Sequence, residues 1–219
     1  MLGPYKLNEI VTGDARVLAE KIPNESVDLI FTDPVYQNIG DYEWLSKVAA
    51  RVLKPEGHLL AWQAVKYIGP TIQALNQHLT YRWTLNLTRS NVSLAGTFAN
   101  FFSHWTPCFW YTKGIEPKPM RRFRDSWDVP YRNNVNPNHQ WHKPEEIIRQ
   151  WLGDFSQVNA IIFDPFTGGG TVPAVCKMLS RQYLAFEIDS LVAEKARERV
   201  LLTQPPLFVE MPEQLGLEV

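Results

Sequence analysis

Asp33-Pro34-Val35-Tyr36 sets an acid, a stiff turn residue and an aromatic ring close together, directly behind the apolar run Val27-Asp28-Leu29-Ile30-Phe31. Pro23-Asn24-Glu25-Ser26 on one side and Pro34 on the other bound that run, which predicts a short buried strand. In an open parallel sheet, ligands lie beyond the carboxyl ends of the strands. Asp33 at such an end can accept hydrogen bonds from a substrate, and Tyr36 can stack on a flat one. The alternative is that Asp33 caps a turn and Tyr36 packs against it.

Three further acids follow apolar runs: Asp14 after Ile10-Val11-Thr12-Gly13, Asp164 after Ile161-Ile162-Phe163, and Glu187 after Tyr183-Leu184-Ala185-Phe186. Asp14 also stands where it can cap a helix over Ala15 to Lys21. Four such carboxylates are most simply explained by one sheet whose acids gather along a single edge. Asp164 opens Asp164-Pro165-Phe166-Thr167-Gly168-Gly169-Gly170-Thr171, a glycine turn between a strand and a helix, where a ligand can approach the backbone closely. The turn lacks the Gly-Lys-Ser/Thr of a phosphate loop, and Pro173 stands where a dinucleotide fingerprint has its third glycine. Glu187 ends the next strand, where a carboxylate binds ribose hydroxyls in nucleotide folds. These features imply a nucleoside without a diphosphate, and S-adenosylmethionine fits.

The elements that position these residues can be read from periodicity. Helices are predicted over Asp41 to Leu53, Tyr67 to His78 and Glu145 to Leu152, with further ones after Gly170 and after Asp189-Ser190. Lys54-Pro55-Glu56-Gly57 stops the first, and His58 to Trp62 is a further buried strand. From Tyr81 to Tyr111 aromatic and β-branched residues mix with Asn, Ser, Thr and Gly, which predicts strands joined by long loops, with Phe109 to Thr112 the most strand-like. Residues 117–138 carry Arg121, Arg122, Arg124 and Arg132 with Trp127 and Tyr131. That composition suits phosphate contacts and base stacking, so nucleic acid is the leading partner, the alternative being a solvated Arg-rich loop.

A length of 219 residues suits a single domain, 1–219. Lys plus Arg number 22 against 23 acidic residues, so any polyanion must bind a local basic face. Cys108 and Cys176 lack metal-ligand spacing, and no metal is expected. No signal pattern or spanning run is evident, which leads to the expectation of a soluble, cytoplasmic protein without membrane attachment.

Taken in order, these motifs resemble the S-adenosylmethionine-dependent DNA amino-methyltransferases, in the permuted arrangement with the catalytic segment ahead of the cofactor turn. Asp33-Pro34-Val35-Tyr36 is similar to their Asp-Pro-Pro-Tyr, preceded by Gly13-Asp14 and Asp28-Leu29-Ile30. Arg51-Val52-Leu53-Lys54-Pro55-Glu56-Gly57 resembles their Arg-x-Leu-Lys-Pro-x-Gly turn, and His139 with Lys143-Pro144 resembles the segment before the cofactor strand. Asp164-Pro165-Phe166-x-Gly168-x-Gly170-Thr171, Arg181 and Glu187-Ile188 complete a match covering most of residues 8–208.

The resemblance implies an α/β Rossmann-like fold, circularly permuted, with a mostly parallel seven-stranded sheet and helices on both faces. It implies S-adenosylmethionine binding by Asp14, His139, Lys143, Asp164, Phe166, Thr167, Gly168, Gly170, Thr171 and Glu187. Asp14 would face the adenine, Glu187 the ribose and Lys143 the carboxylate. Asp33 and the carbonyl of Pro34 would accept the amino hydrogens of a flipped base, and Tyr36 would stack on it. DNA contacts are expected from Arg121, Arg122 and Arg124, within a recognition excursion of about residues 84–138. That excursion is short, so a second copy or another subunit could complete recognition. The implied reaction is methylation of adenine N6 in DNA. The alternatives are cytosine N4, or a non-catalytic nucleic-acid-binding module in which Val35, in place of the second proline, marks a lost activity.

Overall fold

The computed structural model describes residues 1–88, 94–95, 102–114, 123–129 and 143–205. His139, Arg121 and Arg122 lie outside them, as does much of the expected recognition excursion. The chain runs β1 (Glu9–Thr12), α1 (Ala15–Leu18), β2 (Val27–Thr32), α2 (Ile39–Val52), β3 (Leu53–Trp62), α3 (Ile68–Leu75), β4 (Thr80–Thr88), β5 (Leu94–Ala95), β6 (Phe102–Ser103), β7 (Trp105–Thr112), β8 (Ser126–Asp128), α4 (Glu145–Phe155), β9 (Ile161–Asp164), α5 (Thr171–Met178), β10 (Gln182–Glu187) and α6 (Ser190–Leu202).

Eight strands form one sheet in the order β1-β10-β9-β2-β3-β7-β4-β8, and β5 and β6 pair separately. The five from β1 to β3 are all parallel, β7 is antiparallel to both β3 and β4, and β8 is parallel to β4. Among the described residues the sheet therefore has eight strands where seven were expected. The additional one is the three-residue β8, too short to leave a period in the sequence, held by pairing of Ser126 to Asp128 with Asn86 to Thr88. Residues 84–88 and 105–112 of the expected excursion are also strands of this sheet.

Successive strand residues pack into cores on opposite faces. Leu29, Phe31, Leu60, Trp62, Cys108 and Trp110 join the core with α4, α5 and α6 residues. Ile30, Leu59, Ala61, Phe109 and Tyr111 join the core with α1, α2 and α3 residues. A strand covered on both sides must be apolar throughout, which is why β2 reads as a continuous run. Its one acid, Asp28, is satisfied on both oxygens. Lys54 Nζ donates to Oδ1 at 2.7 Å and the Ile161 amide to Oδ2 at 2.8 Å, which ties β2 to the strand on either side.

β3 begins at Leu53 rather than His58, so the expected Lys54 to Gly57 stop lies within the strand, where Gly57 answers to a close approach, because a Cβ on it would lie 2.9 Å from the Lys54 carbonyl oxygen. Arg51, at the end of α2, donates to the carbonyls of Ile22 at 2.5 Å and Ala19 at 2.6 Å and so anchors the loop ahead of β2. Two prolines fall inside helices without breaking them. Pro70 and Pro173 each occupy the first turn, where the missing N–H has no helical partner to lose. None of the described helices is long and apolar enough to cross a membrane.

Candidate active site

The four strands that end in acids are neighbours. In the order β1-β10-β9-β2 their carboxyl ends carry Asp14, Glu187, Asp164 and Asp33 along one edge of the sheet. The Gly13 amide donates to the Glu187 carbonyl at 2.8 Å, so the first two acids lie side by side. Asp14 is exposed and also caps α1, its Oδ1 accepting from the Arg16 amide at 2.8 Å. The capping reading of Asp14 is thus observed, and one carboxylate oxygen remains for a ligand.

The glycine turn leads from β9 into α5. Gly168 and Gly170 adopt φ of 50° and 73°, the left-handed region that costs a side-chain-bearing residue about 1 kcal/mol or more. The two glycines have different reasons to be glycine. A Cβ at Gly170 would lie 2.9 Å from Ala196 Cβ, so its bareness lets α5 and α6 pack. A Cβ at Gly168 would meet nothing within 4 Å. The space in front of it is open to a ligand. Beside it, the Thr167 hydroxyl is buried against the Asp164 carboxylate and has no other hydrogen-bond partner among the described residues. Thr171 is the first residue of α5, and its hydroxyl accepts from Arg199 at 2.8 Å.

Glu187 braces this turn. Its Oε2 accepts from the Gly168 amide and its Oε1 from the Asp189 amide, each at 2.9 Å. Each oxygen keeps acceptor capacity for a ligand hydroxyl. Phe166 is half-buried and meets Trp44 edge to face, ring centres 5.6 Å apart. Asp164 is buried, and its Oδ1 accepts from Thr32 Oγ1 at 2.7 Å and from the Phe166 amide at 3.2 Å. Burial pushes its pKa up to about 7 against the opposing pull of these hydrogen bonds, and the nearby Asp33 charge adds to the rise.

Asp33 follows β2 one strand away. Lys143, just ahead of α4, donates to Asp33 Oδ2 and to the Tyr36 hydroxyl, both at 2.6 Å. The other oxygen, Asp33 Oδ1, is buried and accepts no hydrogen bond from a described residue. Burial, and then the Asp33 charge, raise the pKa of Tyr36, which stays a neutral phenol. Val35 is 65% exposed, and its carbonyl accepts from the Asn38 amide in the turn that starts α2. The residue standing in place of a proline therefore preserves the turn.

The structure brings together Asp14, Asp33, Tyr36, Asp164, Phe166, Thr167, Gly168 and Glu187 along this edge. Lys143, which the resemblance assigns to a cofactor carboxylate, has its ammonium on Asp33 and Tyr36 instead. Arg124 is exposed, beside Phe123 and Trp83 on the far strands of the sheet. Sequence reasoning missed Thr32, Trp44 and Trp62. Trp62 ends β3, its carbonyl accepts from the Tyr42 hydroxyl at 2.7 Å, and its ring lies 5.1 Å from Lys143 Nζ. The available signal was position: an aromatic residue ending the strand next to that of Asp33.

Comparison with known proteins gives four findings. The family model described as DNA methylase matches residues 27–198. The type II methyltransferase M.HpaI of Haemophilus parainfluenzae is 27% identical over 87% of this chain and 73% of its own length. Among solved structures, the complex of M1.HpyAVI with SAM superposes with a TM-score of 0.74 at 19% identity, over 89% of this chain and 99% of that one. The PvuII DNA methyltransferase, described as cytosine-N4-specific, gives 0.75 at 14% identity over 87% and 85% of the two chains.

Proposed function

The chain belongs to the DNA methylase family of N6 and N4 amino-methyltransferases, and within it we propose that it transfers a methyl group from S-adenosylmethionine to the N6 amino group of adenine at a specific DNA site. The observation that carries this reading is the buried, unpartnered Asp33 Oδ1. A buried acceptor without a donor is costly, and a substrate N–H repays that cost. The SAM-bound neighbour and the type II relative support the cofactor and the site-specific role.

The described residues fit the cofactor. The open face of Gly168, the buried Thr167 hydroxyl beside Asp164 and the spare acceptor capacity of Glu187 form a cradle for a nucleoside with free ribose hydroxyls. When bound, S-adenosylmethionine supplies an electrophilic methyl group. Asp164 would carry the negative charge facing its cationic end. Asp14, next to Glu187, would meet the adenine.

Asp33 would do its work on the other reactant. An exocyclic amino group conjugated to a ring is a poor nucleophile. A carboxylate oxygen and the Pro34 carbonyl, each accepting one amino hydrogen, draw the nitrogen toward tetrahedral geometry and free its lone pair. Tyr36 holds the flipped base flat, and alignment with the methyl group supplies much of the remaining acceleration. The Thr32 to Asp164 hydrogen bond fixes the distance between the strands that present the two reactants.

Adenine is favoured because the motif opens with Asp, as in the adenine-type enzymes that Asp33-Pro34-Val35-Tyr36 resembles. Cytosine N4 is the second reading, favoured by the superposition with the PvuII enzyme. Incubation with DNA and S-adenosylmethionine, then nucleoside mass spectrometry, separates the outcomes. N6-methyl-2′-deoxyadenosine supports the proposal, N4-methyl-2′-deoxycytidine selects the second reading, and neither product points to a non-catalytic binding module.

A further inference from the structure

We infer that Lys143 is a positioning residue that clamps the catalytic Asp33 and Tyr36 in working order, rather than a ligand of the cofactor. The inference rests on the methyltransferase reading above and assigns a further task within the same site.

Three contacts meet at one ammonium. Lys143 Nζ lies 2.6 Å from Asp33 Oδ2, 2.6 Å from the Tyr36 hydroxyl and 5.1 Å from the centre of the Trp62 ring. The Lys143 side chain is only 8% exposed against 35% for Asp33, so it is the cation that is enclosed. Trp62 is itself fixed, packed at 5.2 Å between ring centres against Trp151 of α4 and at 6.4 Å against Phe31 of β2. The ammonium thus rests on a rigid aromatic floor that α4 and β2 build together.

This geometry decides which parts of the two catalytic side chains remain available. A carboxylate can rotate to present either oxygen, and a charge-assisted hydrogen bond to Oδ2 stops that rotation. Oδ1 is then the oxygen with its full acceptor capacity free, and it is the one without a partner among the described residues. For Tyr36, the ammonium is 2.6 Å from the hydroxyl and 5.2 Å from the ring centre. The second value is close to the largest that the first allows. Nζ therefore sits off the hydroxyl end of the ring rather than over its face, and the faces stay clear of the ammonium for a base to stack on. Lys143 holds the acceptor and the stacking platform at the same time while covering neither.

The two roles of Lys143 separate in a kinetic test. Lys143→Met keeps most of the aliphatic stem over Trp62 and removes the charge. If Lys143 clamps Asp33 and Tyr36, calorimetric affinity for S-adenosylmethionine stays at the parental value while kcat for methyl transfer at saturating cofactor falls on the order of a hundredfold, as expected for misplaced reacting groups. Lys143→Arg keeps the charge and recovers part of the rate, its planar fork fitting less well than a point donor. Lys143→Gln, which keeps a donor without the charge, replaces the Met variant should that one fail to fold. Weakened cofactor binding with kcat retained at saturation would restore the cofactor-carboxylate role and overturn the inference. So would a Lys143→Met protein with parental kcat and affinity. A parental protein that transfers no methyl group to DNA overturns the methyltransferase reading and this inference together, whereas an active parent with an indifferent variant overturns only the second.

Discussion

Thr32 Oγ1 donates a 2.7 Å hydrogen bond to Asp164 Oδ1 across a sequence separation of 132 residues. It joins the last residue of the strand that presents Asp33 to the last residue of the strand that presents the glycine turn. The two halves of the candidate site are therefore tied, beyond the β2 to β9 pairing, by a buried side-chain contact at the carboxyl ends of both strands.

Asp33→Ala distinguishes catalysis from capping. A capping role predicts a loss of about 1 kcal/mol of stability with turnover spared. The unpartnered Oδ1 predicts instead that turnover falls on the order of a hundredfold or more, while the protein still gains thermal stability on adding S-adenosylmethionine. Asp33→Asn, which keeps an acceptor oxygen without the charge, is expected between the parent and the Ala variant. Methyl transfer at saturating cofactor, alongside thermal melts, checks both statements.

Glu187→Ala removes a carboxylate that braces the Gly168 and Asp189 amides and offers acceptors to a ribose. Cofactor affinity is expected to fall by about 1.5 to 3 kcal/mol, the worth of a hydrogen bond to a charged group. Titration calorimetry reads this directly. Equal affinities for variant and parent would move the ribose elsewhere.

The glycine turn makes a paired prediction. Gly170→Ala forces a methyl group to 2.9 Å from Ala196 Cβ at a φ of 73°, and the fold should lose about 2 kcal/mol or more from overpacking and backbone strain. Gly168→Ala has space around it and a φ of 50°, so it should lose only about 1 kcal/mol of stability. Its methyl group projects toward the ligand, however, and cofactor affinity should suffer more than the melting temperature. Melts and calorimetry on the two variants test this crossing of effects.

Asp164 links protons to both stability and binding. Its folded pKa is raised to about 7, chiefly by burial, from 3.8. Between those values the unfolded chain binds fewer protons at this residue than the folded one, so its contribution to stability is full at low pH and lost as pH rises through about 7. A cationic ligand prefers the ionised form, so affinity for S-adenosylmethionine should increase over the same interval and binding should release protons. The groups facing Asp164 are the Thr32 and Thr167 hydroxyls, the Phe166 amide, Cys176 and Asp33. Asp164→Asn should flatten both trends, which calorimetry in buffers of different ionisation enthalpy can measure.

The acids Asp14, Asp33, Asp164 and Glu187 were legible because each closes an apolar run, and a run buried on both faces has no polar alternation to blur its end. Their gathering along one edge was legible as an economy of explanation. The order of the strands was not, because β9 joins β2 through pairings such as Leu29 with Ile162, across more than half the chain, and no local pattern encodes that. Helix ends drifted for local reasons. The helix expected over Tyr67 to His78 is α-helical only from Ile68 to Leu75, after a 3-10 turn over Val65–Tyr67. The helix expected to end at Leu152 continues to Phe155, because Phe155 is buried in the core with Trp110 and Phe123. Lys143 was found as a residue of interest, but its partners depend on how α4 docks on the sheet, which only the folded chain displays.

The pairing of an early strand with a late one also bears on synthesis. A nascent chain that has released Asp33 and Tyr36 from the ribosome still lacks Lys143, and β2 keeps one flank unpaired until Ile161 to Asp164 emerge to cover it. Domains fold as units, and an open apolar strand edge is a liability while it lasts. Translation of this protein therefore passes through a long interval in which β2 has one edge uncovered. The candidate site is assembled only after the segment through Glu187 has been made, so a prematurely terminated product carries Asp33 without the turn that faces it.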